Sequence, residues 1–335
     1  LYNIVNVFVF TFVHMKTINL NHNRLLTPSM LYDYIEDKDL MSCLRTFGTS
    51  AEKRPIYGYV VGEGKNRILM WSQMHGNEST TTKSLVDFWG YLNTGQAEFI
   101  LKECTFLMIP QLNPDGSEAY TRLNANKIDL NRDFIDLSQP ESRLLKEVFD
   151  DFKPDYCFNL HGQRTIFSAG NTSIPATISF LAPSADPERS LTPAREMAMK
   201  LIVAAKNKLQ SYLPNAIGRY DDAFNINCAG DYFTYQGTPT VLFEAGHYPG
   251  DYKRTKSRKA VFDSIIQMCE IISLKKIHSF SIADYSEIPE NHKNLRDIEI
   301  FNLKGTSKGI SSSKNKVFIQ YKEEKKEGKV LWLPC

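Results

Sequence analysis

The hydrophobic pattern of the chain predicts strands that alternate with helices. Alternating or continuous apolar positions predict strands at residues 56–62, 67–72, 104–109, 155–160, 176–181 and 239–243. Helical spacing predicts helices at residues 80–91, 140–152, 191–212 and 257–274, with short helices within residues 26–50. Strands and helices in alternation favour an α/β fold: a mixed, mostly parallel twisted sheet with helices on both faces.

The two ends of the chain differ from this pattern. Residues 278–335 combine loop-like stretches with predicted strands at 317–321 and 330–333, which indicates a small β-rich C-terminal extension. We expect it to cap a sheet edge, with a chaperoning or partner-docking role as the alternative. Residues 1–14 precede Met15 and are expected to be an over-extended start outside the fold. Their apolar stretch, residues 5–13, is too short to span a bilayer. Residues 15–277 are therefore predicted to form the main domain.

Composition excludes several classes of protein. Hydrophobic residues make up 42% of the chain and charged residues 23%, as in ordinary globular proteins. The net charge of +2 gives no electrostatic footprint for nucleic acid or an anionic membrane surface. We therefore expect no nucleic-acid partner, and the short apolar stretch predicts no stable membrane insertion. The six cysteines show no Cys-x-x-Cys spacing, and several lie in apolar runs, so free buried thiols in a reducing compartment are expected. We predict a cytoplasmic location, with export by a degenerate N-terminal signal as the alternative.

Polar side chains follow the predicted strands at the points where each strand ends. His75, the loop at Asn113, His161 and Glu244 each come after the last apolar residue of a strand. Ligands of open α/β sheets bind beyond the carboxyl ends of the strands, so these residues are expected to converge. Glu78 follows His75 by three residues, and an imidazole with a carboxylate at that spacing suits a divalent ion, usually zinc. Taken alone, such a pair is as typical of a surface hydrogen bond.

Six motifs together resemble the zinc carboxypeptidase family, in that family's order, over about residues 67–248. They are His75-x-x-Glu78, Asn113-Pro114-Asp115-Gly116, Arg122, Asp129-Leu130-Asn131-Arg132-Asp133-Phe134, His161-Gly162 and Phe243-Glu244. Each motif is weak alone, but the joint pattern is specific. The resemblance implies that family's fold, with one zinc ion per chain held by His75, Glu78 and His161.

The resemblance also implies roles for residues around that ion. Glu244 would be the general base, and Arg122 would stabilise the oxyanion. Asn131 and Arg132 would grip a free carboxylate of the substrate, which makes the enzyme an exopeptidase. A mobile tyrosine would contact the substrate, and Tyr220 is the candidate.

Other interpretations of these residues stay open at this point. His161 could be a core histidine, Glu244 a salt-bridged carboxylate, and the arginines surface residues. Arg143 and Arg164 compete with Arg122 for its role.

Two further regions bear on recognition of the substrate. The register of Tyr220 is uncertain by several residues, and Arg219, Asp221 and Asp222 could supply polar recognition instead. A small residue near Ala229-Gly230 excludes an acidic floor that would select lysine or arginine. His247 is expected to be a structural or rim residue, because the ligand set implied by the resemblance is complete without it.

The predicted function is zinc-dependent hydrolysis of the C-terminal amide bond of a peptide, or of a modified peptide with a free carboxylate. One alternative is a zinc amidohydrolase that deacylates N-acyl amino acids on the same fold. Another is a non-catalytic module that binds zinc or peptide. The sequence does not define an oligomeric state.

Overall fold

A computed structural model describes residues 24–37, 44–301 and 317–335. The α-helices in this part of the chain are α1 (Pro28–Asp37), α2 (Ser79–Leu92), α3 (Glu98–Glu103), α4 (Pro114–Ala119), α5 (Pro140–Phe152), α6 (Pro193–Leu209), α7 (Ala229–Tyr235), α8 (Thr255–Ser273) and α9 (Ile282–Ser286). The strands are β1 (Leu44–Thr49), β2 (Pro55–Val61), β3 (Asn66–Ser72), β4 (Cys104–Ile109), β5 (Tyr156–Gly162), β6 (Ser168–Ala169), β7 (Ile178–Leu181), β8 (Ile217–Arg219), β9 (Thr240–Ala245), β10 (Asn291–His292), β11 (Ile298–Ile300), β12 (Val317–Ile319), β13 (Tyr321–Lys326) and β14 (Lys329–Pro334).

An eight-stranded sheet organises the fold, with the strand order β1-β2-β4-β3-β5-β9-β7-β8. The four central strands β4, β3, β5 and β9 are parallel to one another. Strand β2 runs antiparallel to β4, and β7 runs antiparallel to β9. The prediction of a mixed, mostly parallel sheet with helices is confirmed.

Both faces of the central sheet are buried, which explains the continuous apolar runs. Successive side chains of a strand point to opposite faces. In β3, Ile68 and Met70 belong to one hydrophobic cluster, with residues of α2, α6 and α8, whereas Leu69 and Trp71 belong to a second, with residues of α5 and α7. The carboxyl ends of β3, β5 and β9 therefore lie between the two layers of helices that cover the sheet.

Several elements differ from the sequence prediction. Residues 44–49, expected within short helices, form edge strand β1, because they pair antiparallel with β2. Helices α4 and α7 and strands β6 and β8 were not predicted, since each has at most seven residues and too few positions to show a period. The spacing at Ser138 and Glu141 resembles a capping box. The N-cap of α5 is instead Gln139, and Ser138 donates a hydrogen bond to Asp133.

The C-terminal segment contains the predicted strands as two-stranded ladders. Strand β10 pairs with β6, β11 with β12, and β13 with β14. Tyr285 and Ile288 are buried in the larger hydrophobic cluster of the molecule. The domain boundary at residue 278 stays a prediction, and residues 1–14 and 309–314 lie outside the described residues. Within the described part of the chain, no helix combines the length and apolar character needed to cross a bilayer.

Candidate metal centre

The parallel register of the sheet brings distant parts of the chain to one edge. His161 on β5 pairs directly with Glu244 on β9, so their side chains lie next to each other on the same face. His75 follows β3, the neighbour of β5 on its other side, by three residues. The structure therefore shows these residues converging beyond the strand ends, as the sequence predicts.

Three of the converging side chains form a compact donor cluster. Suitable ligand atoms of His75, Glu78 and His161 all lie within 4.8 Å of one another. The Nδ1 atom of His161 lies 3.1 Å from His75 Nδ1 and 3.1 Å from Glu78 Oε2. His75 Nδ1 lies 2.9 Å from Glu78 Oε1. In the described part of the chain this is the one cluster of histidine, cysteine or acidic side chains with metal-binding geometry.

A turn, not a helix face, brings His75 and Glu78 together. The Glu78 amide donates to the His75 carbonyl at 3.0 Å, and Glu78 is the N-cap of α2. The turn packs tightly on α4, because a Cβ atom at Gly76 would lie 1.9 Å from the carbonyl carbon of Gly116. Asn113 joins the two segments, because its side-chain Nδ2 donates a hydrogen bond to the Met74 carbonyl at 3.1 Å. Glu78 thus lies at the entry to α2, and the turn before that helix brings its carboxylate to His75.

The neighbouring histidines keep Glu78 deprotonated, which is the form in which a carboxylate binds a metal ion. Burial alone would raise the pKa of Glu78, but His75 and His161 outweigh it and hold that pKa well below its usual value. Burial acts to lower the pKa of His75, and the carboxylates of Glu78 and Asp129 outweigh it, so this pKa is raised. Burial is the main cause of the lowered pKa of His161.

Asp129 supports His75 from the opposite side of the ring. Its Oδ1 atom lies 3.1 Å from His75 Nε2. A carboxylate on the second ring nitrogen fixes the tautomer that leaves Nδ1 free for a metal. The same Oδ1 accepts a hydrogen bond from the Asn131 amide at 3.0 Å. No role of its own was predicted for Asp129 from the sequence, although it is a carboxylate two residues before Asn131.

Glu244 lies beside the cluster without a partner of its own. Its Oε2 atom is buried and has no hydrogen bond among the described residues. Burial, and then the negative charge of Glu78, raise the pKa of Glu244 well above its usual value, and Arg122 and Arg254 oppose this. Burial and a neighbouring carboxylate both disfavour the charged form of Glu244, and a nearby cation would favour it.

Arg122 is the arginine that reaches the cluster. Its Nη1 atom lies 3.2 Å from His75 Nδ1, and its Nε donates to Asp129 at 3.0 Å. Its side chain is 44% exposed, so it also faces the open side of the site. Arg143 instead donates to the Leu137 and Ser138 carbonyls ahead of α5. This geometry favours Arg122 over that competitor.

The donor set fits zinc. The Nδ1 atoms of His75 and His161 lie 3.1 Å apart, and two such nitrogen atoms stabilise each other little. Together with the Glu78 carboxylate they match the nitrogen and oxygen ligands that zinc prefers. The unpartnered Oε2 of Glu244 adds an acceptor beside them. Residues 30–237, more than half of the chain, match a family described as zinc carboxypeptidase. The chain belongs to the zinc carboxypeptidase family.

Curated relatives match a part of the sequence. Probable carboxypeptidase 2 of Trichophyton verrucosum is 34% identical over 113 residues, which cover 33% of this chain and 21% of the relative. Carboxypeptidase SOL1 of Arabidopsis thaliana is 26% identical over 173 residues, covering 41% of this chain and 35% of the relative. The match thus spans about a fifth of the length of the fungal relative.

Solved structures of the family share the fold at low identity. A metallo-carboxypeptidase from Pseudomonas aeruginosa aligns with a TM-score of 0.60 at 15% identity, covering 74% of this chain and 69% of its own. Carboxypeptidase A from Helicoverpa armigera aligns with a TM-score of 0.60 at 14% identity, covering 76% and 75%. These similarities show a carboxypeptidase fold, and family membership implies zinc as the cofactor.

The predicted carboxylate-binding residues Asn131 and Arg132 follow Asp129, the residue that contacts His75. Asn131 is buried and accepts a hydrogen bond from the Ala229 amide at 3.0 Å. Arg132 is exposed and donates from Nη1 to the Asn131 carbonyl at 2.6 Å and to Cys228 Sγ at 3.1 Å. Both residues are thereby fixed to the start of α7.

Tyr220 faces the charged groups of the site. Burial raises the pKa of Tyr220, and the negative charges of Glu244 and Glu78 raise it further. Its ring centroid lies 5.4 Å from that of Phe167. His247 is not part of the donor cluster; its ring packs 5.6 Å from Tyr252.

Arg254 was not anticipated from the sequence. It is 2% exposed, and it donates to the carbonyls of Gln163, at 2.7 Å, and Ala245. Burial, with the positive charge of Arg24, lowers the pKa of Arg254 to about 9. Because Gln163 and Ala245 follow His161 and Glu244, this guanidinium ties together the two strand ends that carry them. No sequence pattern marked it, since its partners are main-chain atoms.

Proposed function

We propose that this protein is a zinc-dependent exopeptidase that hydrolyses the C-terminal amide bond of a peptide, with one zinc ion per chain. The observation that carries the proposal is the pairing of His161 with Glu244, which puts an unpartnered carboxyl beside the three metal-binding side chains. Relatives that are named carboxypeptidases support the same activity.

His75, Glu78 and His161 would hold the zinc ion. Three protein ligands are the usual number in catalytic zinc sites, which keep a further position open. Zinc in such a site lowers the pKa of a water molecule and polarises the scissile carbonyl. Asp129 and the Gly162 amide orient the ligands, the latter through a 2.9 Å hydrogen bond to Glu78 Oε2.

Glu244 would act as the general base and then as the general acid. Its carboxylate accepts a proton from the attacking water as the new C–O bond forms. It returns that proton to the leaving nitrogen as the C–N bond breaks, so the proton balance closes within one turnover. Arg122, exposed on the open side, would donate hydrogen bonds to the oxyanion that develops on the former carbonyl oxygen.

Arg132 and Asn131 would make the enzyme specific for chain ends. The hydrogen bonds of Arg132 to described residues use Nη1. Its Nε and Nη2 atoms are therefore available for a bidentate contact with a carboxylate. Asn131 fixes this arginine to α7 through Ala229. Tyr220, which packs against Phe167 near Glu244, would cover the bound terminal residue.

Digestion of a peptide library by the zinc-loaded protein, read by mass spectrometry, tests this function. We expect loss of single C-terminal residues that a chelator abolishes and zinc restores. Glu244→Gln should lower the rate by roughly a hundredfold or more, the usual contribution of a general base. Glu270→Gln, a partly buried carboxyl on α8, is the matched control and should keep the parent rate.

The same experiment separates the alternatives. A Glu244→Gln variant with near-parental activity would disprove the assigned base. Faster hydrolysis of N-acyl amino acids than of any peptide would replace the exopeptidase by a deacylase. Tight zinc binding without turnover of either class would indicate a non-catalytic module.

A further inference from the structure

The C-terminal hairpin, formed by strands β13 and β14, packs against the segment that leads to Arg122. Successive side chains of a strand point to opposite faces, so Glu323 and Lys325 share one face of β13 and Lys322 lies on the other. The side chains of Glu323 and Lys325 are 19% and 22% exposed, whereas that of Lys322 is 66% exposed. One face of β13 is therefore covered by the rest of the protein.

Both covered side chains form hydrogen bonds with the end of α4. Lys325 Nζ donates to Glu118 Oε1 at 2.9 Å and also to the Glu118 carbonyl. The Tyr120 hydroxyl donates to Glu323 Oε2, and burial raises the pKa of Tyr120, so this hydroxyl keeps its proton. The Tyr120 ring also packs with Val330 of β14 in a small hydrophobic cluster. The hairpin therefore holds two residues of the segment, at positions 118 and 120.

Tyr120 has a backbone conformation that needs such support. It is the C-cap of α4, and its φ of 57° and ψ of 45° lie in the left-handed region. This conformation costs free energy for a tyrosine, and it persists where the surrounding contacts fix it. The contacts of the Tyr120 side chain with the hairpin therefore stabilise an unfavourable backbone conformation two residues before Arg122.

A single residue, Thr121, separates Tyr120 from Arg122. The Thr121 amide donates to a carbonyl of α4 at 2.8 Å, and the Thr121 carbonyl accepts from the Asn77 amide at 3.1 Å. Asn77 belongs to the turn that carries two of the metal-binding side chains. Arg122 follows directly, so the position of its guanidinium depends on how the preceding residues are held.

We propose that Tyr120, held by Glu323 and Lys325 of the hairpin, is a positioning residue for Arg122, so that the C-terminal extension is a working part of the active site. This proposal rests on the exopeptidase function above, in which Arg122 stabilises the oxyanion. That charge exists only in the transition state, so the guanidinium must be in place before the reaction. A misplaced guanidinium would slow the chemical step and leave substrate binding as it was.

The test replaces Lys325 by methionine, which removes the charge and the hydrogen bonds to Glu118. We expect Lys325→Met to lower kcat roughly tenfold, a part of the roughly hundredfold cost of losing an oxyanion donor, and to change KM by less than about twofold. Lys322→Met, on the exposed face of the same strand, is the matched control and should keep the parent kcat. Lys325→Arg keeps the charge and should restore most of the parent rate.

A double-mutant cycle identifies the group through which the hairpin acts. In an Arg122→Ala background, Lys325→Met should change kcat by less than about twofold, because the group that is positioned is then absent. The zinc affinity of Lys325→Met, measured by competition with a chelator, should equal that of the parent. Tyr120→Phe removes only the hydroxyl contact with Glu323 and should lower kcat in the same manner by a smaller factor.

Three results would overturn the positioning role while leaving the exopeptidase function intact. They are a parental kcat in both Lys325→Met and Tyr120→Phe, an equal loss of kcat in the Arg122→Ala background, and a loss of zinc affinity in place of kcat. The last two would mean that the hairpin acts through another group or on the metal-binding turn.

Absence of hydrolysis of any peptide by the parent would instead count against the exopeptidase function. Hydrogen exchange of the amides of residues 118–122, read by mass spectrometry, then tests the hairpin contacts without turnover. Faster exchange in Lys325→Met than in Lys322→Met would still support the anchoring of the Arg122 segment by the hairpin. Equal exchange in the two variants would overturn it.

Discussion

At the scale of single residues, Asp129 orients the His75 imidazole towards the metal-binding cluster. Its carboxylate meets His75 Nε2 at 3.1 Å and also accepts from Arg122 at 3.0 Å. Burial would raise the pKa of Asp129, but His75 and Arg122 outweigh it and lower that pKa, so the carboxylate is charged at neutral pH. A charged acceptor on Nε2 holds the ring with Nδ1 towards the cluster.

We therefore expect Asp129→Asn to weaken zinc binding roughly tenfold to a hundredfold, the usual effect of removing such a supporting group. Competition between the protein and a chelator of known affinity measures this. Asp136→Asn, an exposed carboxyl in the same segment, is the control. Equal zinc affinity of the Asp129 and Asp136 variants would show that His75 is oriented by other contacts.

Residues that touch a site directly were more predictable than residues that support it. His75, His161 and Glu244 follow predicted strands, and the carboxyl ends of parallel strands meet at one edge of a sheet, so the sequence predicted their convergence. Arg254 acts on main-chain carbonyls, and an arginine in a sequence carries no sign of that.

At the scale of secondary-structure elements, Lys83 makes the packing of α2 dependent on pH. This lysine is 4% exposed, and burial, with the charges of Arg258 and Arg24, lowers the pKa of Lys83 to about 7. Below that pH the lysine is charged in both the folded and the unfolded chain, and the folded chain bears the full cost of burying the charge. Between about pH 7 and the ordinary value of 10.5, the unfolded chain binds a proton that the folded chain lacks, so stability rises with pH.

Lys83→Met should therefore raise the melting temperature most at or below about pH 7, and this gain should shrink as the pH approaches 10. Differential scanning calorimetry of parent and variant across that range measures it. Asp87 keeps its two contacts with Arg258, at 2.6 and 2.7 Å, in the variant. Lys102→Met, at an exposed lysine of α3, should show no such pH-dependent gain. A gain independent of pH at Lys83 would contradict the lowered pKa.

Long elements were predicted well because their periodicity extends over several turns or over a buried strand. Strand β4 was predicted with its exact bounds, as its apolar run is limited by Pro110. Short elements were missed where tertiary contacts define them. Strand β1 exists because it pairs with β2, and α7 is held at its start by Asn131.

At the scale of the whole molecule, the C-terminal hairpin of β13 and β14 docks on the remainder of the chain through a partly buried carboxylate. Glu323 of β13 lies 3.0 Å from Arg24 Nη1, accepts from the Tyr120 hydroxyl, and accepts from Trp332 Nε1 at 3.3 Å. Burial would raise the pKa of Glu323, but Arg24 and Arg254 outweigh it and lower that pKa. The hairpin thus supplies a negative charge beside two buried arginines, Arg24 and Arg254.

Removing that charge should undock the hairpin. Glu323→Ala leaves Arg24, whose side chain is 10% exposed, without its carboxylate, and leaving a largely buried group without its partner costs about 1–3 kcal/mol. Urea unfolding measures this loss, and limited proteolysis should cut β13 or β14 faster in the variant. The neighbouring Glu324→Ala removes an exposed pair with Lys322 and should change stability by less than about 1 kcal/mol. If both variants unfold at the same urea concentration, the hairpin is held by its apolar contacts, such as Trp332 against Tyr252, and not by the buried charge.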